Sequence, residues 1–140
     1  MDLYAALDKW FSLFIRLRAA DSNGMVHCYT CPERKHYKEM ECGHFIKRGH
    51  EATRWDKNNC RPQCKECNGC KDGRADVFED ELREELGDDV VNKMIKTKYQ
   101  LLEVREELWY VTKLAEFQDF VKRHPAYQKW VIHCFVFAKK

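Results

Sequence analysis

Two cysteine pairs, Cys28-Tyr29-Thr30-Cys31 and Cys64-Lys65-Glu66-Cys67, bracket a stretch that carries His44, Asn58 and Asn59, and Asn68 follows the second pair at once. Thiols two residues apart fold into a tight knuckle and offer two soft ligands to one metal ion. Two knuckles complete a tetrahedral Zn²⁺ site and tie distant segments together. Of the eight cysteines, Cys28, Cys31, Cys64 and Cys67 are therefore expected to hold a structural zinc. Cys60 and Cys70 extend the second pair into a ladder, which raises an iron–sulfur cluster as the alternative. Four ligands in paired knuckles favour zinc. The knuckle spacing also speaks against a disulfide framework, and Met1-Asp2-Leu3-Tyr4 has no basic segment of a secretory leader. The expected setting is a reducing cytoplasm. No apolar run is long enough to span a membrane.

The elements that position these residues read as helix, zinc-stapled middle, then helices. Leu3, Leu7, Trp10, Phe14 and Leu17 form one apolar face of a helix over about residues 2–19, ended by the turn formers Asp21-Ser22-Asn23-Gly24. A short strand is expected over 25–29, and a second strand or hairpin arm within 36–46. Residues 47–63 read as mostly loop. A short helix begins at Cys64 or Asn68 and leaves through Lys71-Asp72-Gly73. Phe78, Leu82 and Leu86 mark a helix closed by Gly87. Asp88 or Asp89 caps the next, with Val91, Met94, Ile95, Lys98 and Leu102 inward. Leu114, Phe117 and Val121 mark a helix stopping near Pro125, and Tyr127, Trp130, Val131 and Cys134 a last one, with Cys134 expected as a buried small apolar group. The fold class is α+β: an N-terminal helix (1–24), a zinc-stapled core (25–75) and a C-terminal helical region (76–140).

The chain is near neutral, at +2, but its charge is unevenly spread. Residues 32–74 hold eleven basic against seven acidic side chains, and residues 75–107 five against eleven. The basic excess falls on the cysteine-rich middle, where a phosphate backbone has most to gain. Lys47, Arg48, Arg54 and Arg61 are the candidate phosphate contacts. Trp55 is the one aromatic there placed to stack on a base, although a core role fits it better.

His44, then Asn59 five residues before Cys64, then Asn68 directly after Cys67 resembles the HNH (ββα-metal) nuclease motif. More closely, the chain is similar to the phage NinG/Rap recombination nucleases. The matching stretches are Phe11-Ser12, Ile15-Arg16-Leu17-Arg18, Cys28-Tyr29-Thr30-Cys31, Cys42-Gly43-His44-Phe45-Ile46, Arg48-Gly49-His50, Arg54-Trp55-Asp56, Asn59-Cys60, Pro62-Gln63-Cys64 and Cys67-Asn68, within residues 7–95. The Cys-x-x-Cys-Asn ending is similar to endonuclease VII-type Holliday-junction resolvases.

The resemblance implies a small ββα-metal core and a DNA endonuclease acting on branched intermediates such as Holliday junctions or D-loops, as a homodimer in the bacterial host's cytoplasm. It implies His44 as general base and Asn68 as an oxygen ligand to a catalytic Mg²⁺ or Mn²⁺ that neutralises the phosphate and the departing 3′ oxygen. Asn59 would orient the His44 ring or position the loop. Products would carry a 3′-hydroxyl and a 5′-phosphate. One departure stands out: Gly43 occupies the position where many HNH enzymes place an Asp or His metal ligand. His50, Asp56 and Cys42 are the candidates to replace it, with His50 preferred because it shares the loop. The converse, His44 as ligand and His50 as base, stays open. The competing reading is a non-catalytic zinc-knuckle module that binds nucleic acid. A third is a helical interaction protein with purely structural zinc.

Overall fold

Helix α1 spans Leu3–Arg18 and starts at Asp2, whose carboxylate accepts from the Ala5 N–H at 3.1 Å. The computed structural model that places it describes residues 2–138. Leu7, Phe11, Phe14, Ile15 and Leu17 are buried, while Leu3 and Trp10 are only partly covered. The buried stripe is therefore turned slightly from the expected face, because α1 is clamped between a later helix and a sheet. At its end the Asp21 carboxylate accepts from the N–H groups of Asn23 and Met25, and Gly24 turns the chain with a φ of +85°.

Strands β1 (Met25–His27) and β2 (Arg34–His36) form an antiparallel hairpin whose tip is the first cysteine knuckle. A 3₁₀ turn at Tyr37–Glu39 leads into β3 (Met40–His44), which pairs antiparallel with β4 (Cys60–Cys64). The register sets Met40 against Cys64, Cys42 against Pro62 and His44 against Cys60. Residues 60–63 are therefore strand rather than loop. Every residue of β4 is buried, so it lacks the alternation that marks a half-exposed strand, and Pro62 hides it further. The chain leaves β4 through the second knuckle into a single wide helical turn, Glu66–Cys70. Asp72, Gly73 and Arg74 all take positive φ as it exits.

Helices α2 (Ala75–Leu86) and α3 (Asp88–Thr97) meet at Gly87, whose φ of +86° suits only glycine. Gly87 itself occupies the cap of α3. Asp88 and Asp89 lie in its first turn, where they complement the helix dipole. Phe78, Leu82, Val91, Met94 and Ile46 form a small second core. Leu102 lies beyond α3 and is exposed, so it is not part of that helix's inner face. Helix α4 (Glu107–Arg123) packs along α1 through Leu114, Phe117 and Val121 and closes the main core. Helix α5 (Pro125–Phe137) buries only Ala126. Cys134 is exposed, contrary to expectation, because α5 continues past the body that would have covered it. The fold is mixed helix and small antiparallel sheets. No described helix is long and apolar enough to cross a membrane.

Candidate metal centre and cleft

The four knuckle cysteines converge. Their sulfurs all lie within 4.8 Å of one another, with Cys31 and Cys64 at 3.7 Å. Two backbone N–H groups already point at them, Cys64 N–H to Cys28 at 3.3 Å and Cys67 N–H to Cys64 at 3.4 Å. Burial pushes the Cys28 thiol up, but the backbone donors of Cys64 and Thr30 outweigh it and bring it down to about 7. Burial and the neighbouring sulfurs push Cys31 up to about 12 against an opposing backbone contact at Glu33. Four sulfurs this close cannot all ionise unless a cation sits among them. An all-thiolate tetrahedral set with N–H···S support suits a metal such as zinc. The centre joins the β1–β2 tip to the end of β4, so it fixes where the turn carrying Asn68 begins.

Beside it runs a cleft of about 610 Å³. Its floor follows β3 through Met40, Glu41, Cys42 and His44. One stripe of α1 (Asp8, Phe11, Ser12 and Arg16) forms a wall, and Lys47, Arg48 and Asn68 complete it. The His44 ring leans on Phe11, with 6.4 Å between ring centroids, and its Nε2 lies 2.9 Å from the Arg54 carbonyl. A carbonyl only accepts, so Nε2 carries the hydrogen and Nδ1 keeps the free lone pair. Burial lowers the His44 pKa below the ordinary histidine value, against the opposing pull of the Arg54 and Cys42 backbones. The imidazole is therefore neutral at pH 7.

The Asn68 amide donates to Glu41 Oε1 at 2.9 Å. That orientation leaves the amide oxygen and the second carboxylate oxygen as hard donors. Glu41 carries no local sequence signal beyond being an acidic residue three before His44; the β3–β4 register sets it opposite Gln63, and the turn after β4 brings Asn68 to it.

Gly43 has a local cause. A Cβ there would stand 2.1 Å from Gln63 Oε1 and 2.6 Å from its Cδ. Gln63 is fully buried, and its Nε2 donates to Thr30 Oγ1 and the Gly73 carbonyl, both at 2.9 Å. Any side chain at 43 would displace this brace between the knuckle and the turn.

Asn59 is fully buried. Its Oδ1 accepts from the Ile46 N–H at 2.7 Å, and its Nδ2 donates to the carbonyls of Ile46 and Thr53. All of this amide is spent on closing the 45–59 loop, and none reaches the His44 ring. His50 and Asp56 lie outside the cleft lining. The His50 ring stands edge-on to Tyr99, and Asp56 accepts from the Asn58 N–H.

The expected phosphate contacts divide. Lys47 and Arg48 are exposed and line the cleft, with Lys47 held by Asp72. Arg54 grips Asp8 with two nitrogens, and Trp55 Nε1 donates to the same carboxylate at 2.9 Å. Arg61 is 7% exposed and is taken up by Glu85 and by the carbonyls of Lys57, Asn58 and Cys60. Trp55 belongs to the core. Arg16 is a further cation in the cleft. It is anchored through Nε to the Ser12 carbonyl and through Nη1 to the Tyr37 carbonyl.

An α+β chain with four clustered cysteines that could hold a metal such as zinc, beside a polar cleft, is the class these features define. The family model described as Bacteriophage Lambda NinG protein matches residues 2–123. The chain belongs to that phage protein family. No curated protein and no solved structure matches it.

Proposed function

We propose that this protein is a metal-dependent DNA endonuclease of the HNH type, acting on branched recombination intermediates. The observation that carries the reading is the cleft itself. It gathers His44 with its tautomer set, the Glu41–Asn68 pair of oxygen donors, and three cations, Arg16, Lys47 and Arg48. Phosphodiester hydrolysis needs these three kinds of group.

In this account His44 Nδ1 takes a proton from water as the water oxygen attacks phosphorus and the bond to the 3′ oxygen breaks. Nε2, tied to the Arg54 carbonyl, keeps the ring from turning. Glu41 and Asn68 would hold Mg²⁺ or Mn²⁺, which when bound neutralises the phosphate and the leaving oxygen. Arg16, Lys47 and Arg48 dock the backbone. On this reading strands β3 and β4 and the wide helical turn at Glu66–Cys70 would stand in for a ββα frame, with the cysteine centre as its scaffold. Arg61 and Arg54 act inside that frame. Preference for branched DNA rests on the family resemblance alone.

Two cuts on a two-fold junction call for a homodimer. The exposed apolar face of α5, with Ile132 at 63%, Phe135 at 67% and Val136 at 54% exposure, supports that state. Sedimentation should show a dimer that Phe135→Glu dissociates, and a wild-type monomer at all concentrations would remove this part. A host-cytoplasm setting agrees with thiols kept reduced for metal.

The test uses a labelled four-way junction and a linear duplex of the same sequence, incubated with the zinc-loaded chain with and without Mg²⁺. The expected result is Mg²⁺-dependent cutting of the junction in preference to the duplex. Tight binding without cutting would favour the zinc-knuckle binding module, which needs the cysteines and cations but neither His44 nor Asn68.

A further inference from the structure

A second group of soft ligands lies apart from the four-cysteine centre. Cys42, His44 and Cys60 each offer one ligand atom, and these all lie within 4.8 Å of one another. The register explains the convergence. Cys42 and His44 are two apart on β3 and share a face, and Cys60 on β4 stands directly opposite His44. The knuckle centre is at the other end of the same ladder, where Met40 meets Cys64, roughly 13 Å away at the rise of a strand.

Two thiols and an imidazole are a borderline-soft set, suited to Zn²⁺ and poorly matched to Mg²⁺. Tetrahedral zinc, with bonds of about 2.0–2.3 Å, places its ligand atoms roughly 3.5–3.8 Å apart. Small side-chain rotations would close the observed spacing to that value. The His44 Nε2 hydrogen bond to the Arg54 carbonyl is the outer support that metal-bound histidines commonly have, and it leaves Nδ1 as the donor. Cys60 is fully buried, whereas Cys42 and His44 face the cleft. Three ligands on one side and open cleft on the other leave a fourth position to water or another small ligand.

We propose that Cys42, His44 and Cys60 form a regulatory site for a thiophilic divalent cation, Zn²⁺ above all, whose binding withdraws His44 from proton transfer. The inhibitory role rests on the nuclease reading, and the binding site does not. With three ligands and an open face, the site fills at higher free zinc than the four-thiolate centre. At low zinc the protein holds one ion and cuts. At high zinc it holds two and stops.

The experiment dialyses the full chain against buffered Zn²⁺ and measures bound metal per chain. Wild type is expected to rise from one to two. Cys42→Ala and Cys60→Ala are each expected to stay at one, with the far-ultraviolet circular dichroism of wild type. Cys42 is only half-buried, so its variant serves if Cys60→Ala does not fold. A wild type that never exceeds one, or two ions retained in both variants, overturns the site. In the same zinc series with Mg²⁺ present, wild-type junction cutting should fall at least about tenfold as the second ion binds. The Cys60→Ala variant should not respond. Cutting that continues with two ions bound overturns the inhibitory role. A wild type with two ions at high zinc but no cutting under Mg²⁺ at low zinc overturns the nuclease reading and the inhibition, while supporting the site.

Discussion

The side-chain amide of Asn68 donates to the carboxylate of Glu41 at 2.9 Å, joining the residue after the second knuckle to the strand that ends in His44. That bond links metal scaffold and cleft. The knuckle fixes Cys67, Cys67 fixes Asn68, and Asn68 orients Glu41. The proposed catalytic ion would sit against this pair, so the position lost at Gly43 is supplied from two residues earlier on the same strand.

Glu41→Gln keeps an acceptor for Asn68 and removes the negative charge. Junction cutting should then require at least about tenfold more Mg²⁺, a loss on the scale seen when a group supporting a metal site is removed. DNA binding without Mg²⁺ should be unchanged. Titrating Mg²⁺ against cutting rate checks this, and an unshifted Mg²⁺ dependence would remove Glu41 from the metal shell.

Asn59→Ala should act on folding. It deletes three hydrogen bonds to the backbone of Ile46 and Thr53 and leaves those groups buried without partners. The expected cost is about 2–4 kcal/mol, read from denaturant unfolding at saturating zinc. Loss of cutting with stability intact would instead mean that Asn59 serves the reaction directly.

Much of this was legible in the sequence because local chemistry dictated it. The knuckle spacing named Cys28, Cys31, Cys64 and Cys67, the apolar period found α1, and Gly87 marked the break between α2 and α3. What escaped was set by long-range packing. The fully buried β4 shows no alternation, and nothing local says that Pro62 lies in a strand. Arg54 and Arg61 look like phosphate contacts until the fold hands them to Asp8 and Glu85. Glu41 gains meaning only when the turn after β4 brings Asn68 to it. Cys134 has an apolar neighbourhood in sequence but no body to pack against.

Asp8 ties α1 to the loop through Arg54 and Trp55, and this sets an acid limit on stability. Burial acts to raise its pKa, but the donors from Arg54 and Trp55 outweigh it and hold the carboxyl below its ordinary value. Unfolded, the group titrates at about 3.9. Between the two values the unfolded chain binds the proton and the folded chain does not. The contribution is therefore complete above the unfolded value and is lost as pH falls through the folded one. Asp8→Asn should cost about 1–3 kcal/mol at pH 7 and flatten the stability profile below about pH 4. Parallel acid limbs in variant and wild type would contradict this.

Removing the knuckle metal should unfold the β1–β2 tip and the turn after β4, since those segments meet at the four sulfurs. A chelator strong enough to strip zinc should lower the melting temperature sharply, and returned Zn²⁺ should restore it. A stripped chain with an unchanged melting temperature would show that the centre does not hold the frame.

If His44 is the general base, its removal must show in single-turnover cutting of a labelled four-way junction by His44→Ala. The expected loss is about 10²–10⁴-fold, with junction affinity and the single zinc ion held at low free zinc unchanged. The wild-type rate should rise with pH to a plateau already reached near neutrality, because the histidine titrates below its ordinary value. A His44→Ala variant that cuts at the wild-type rate would contradict the general-base role.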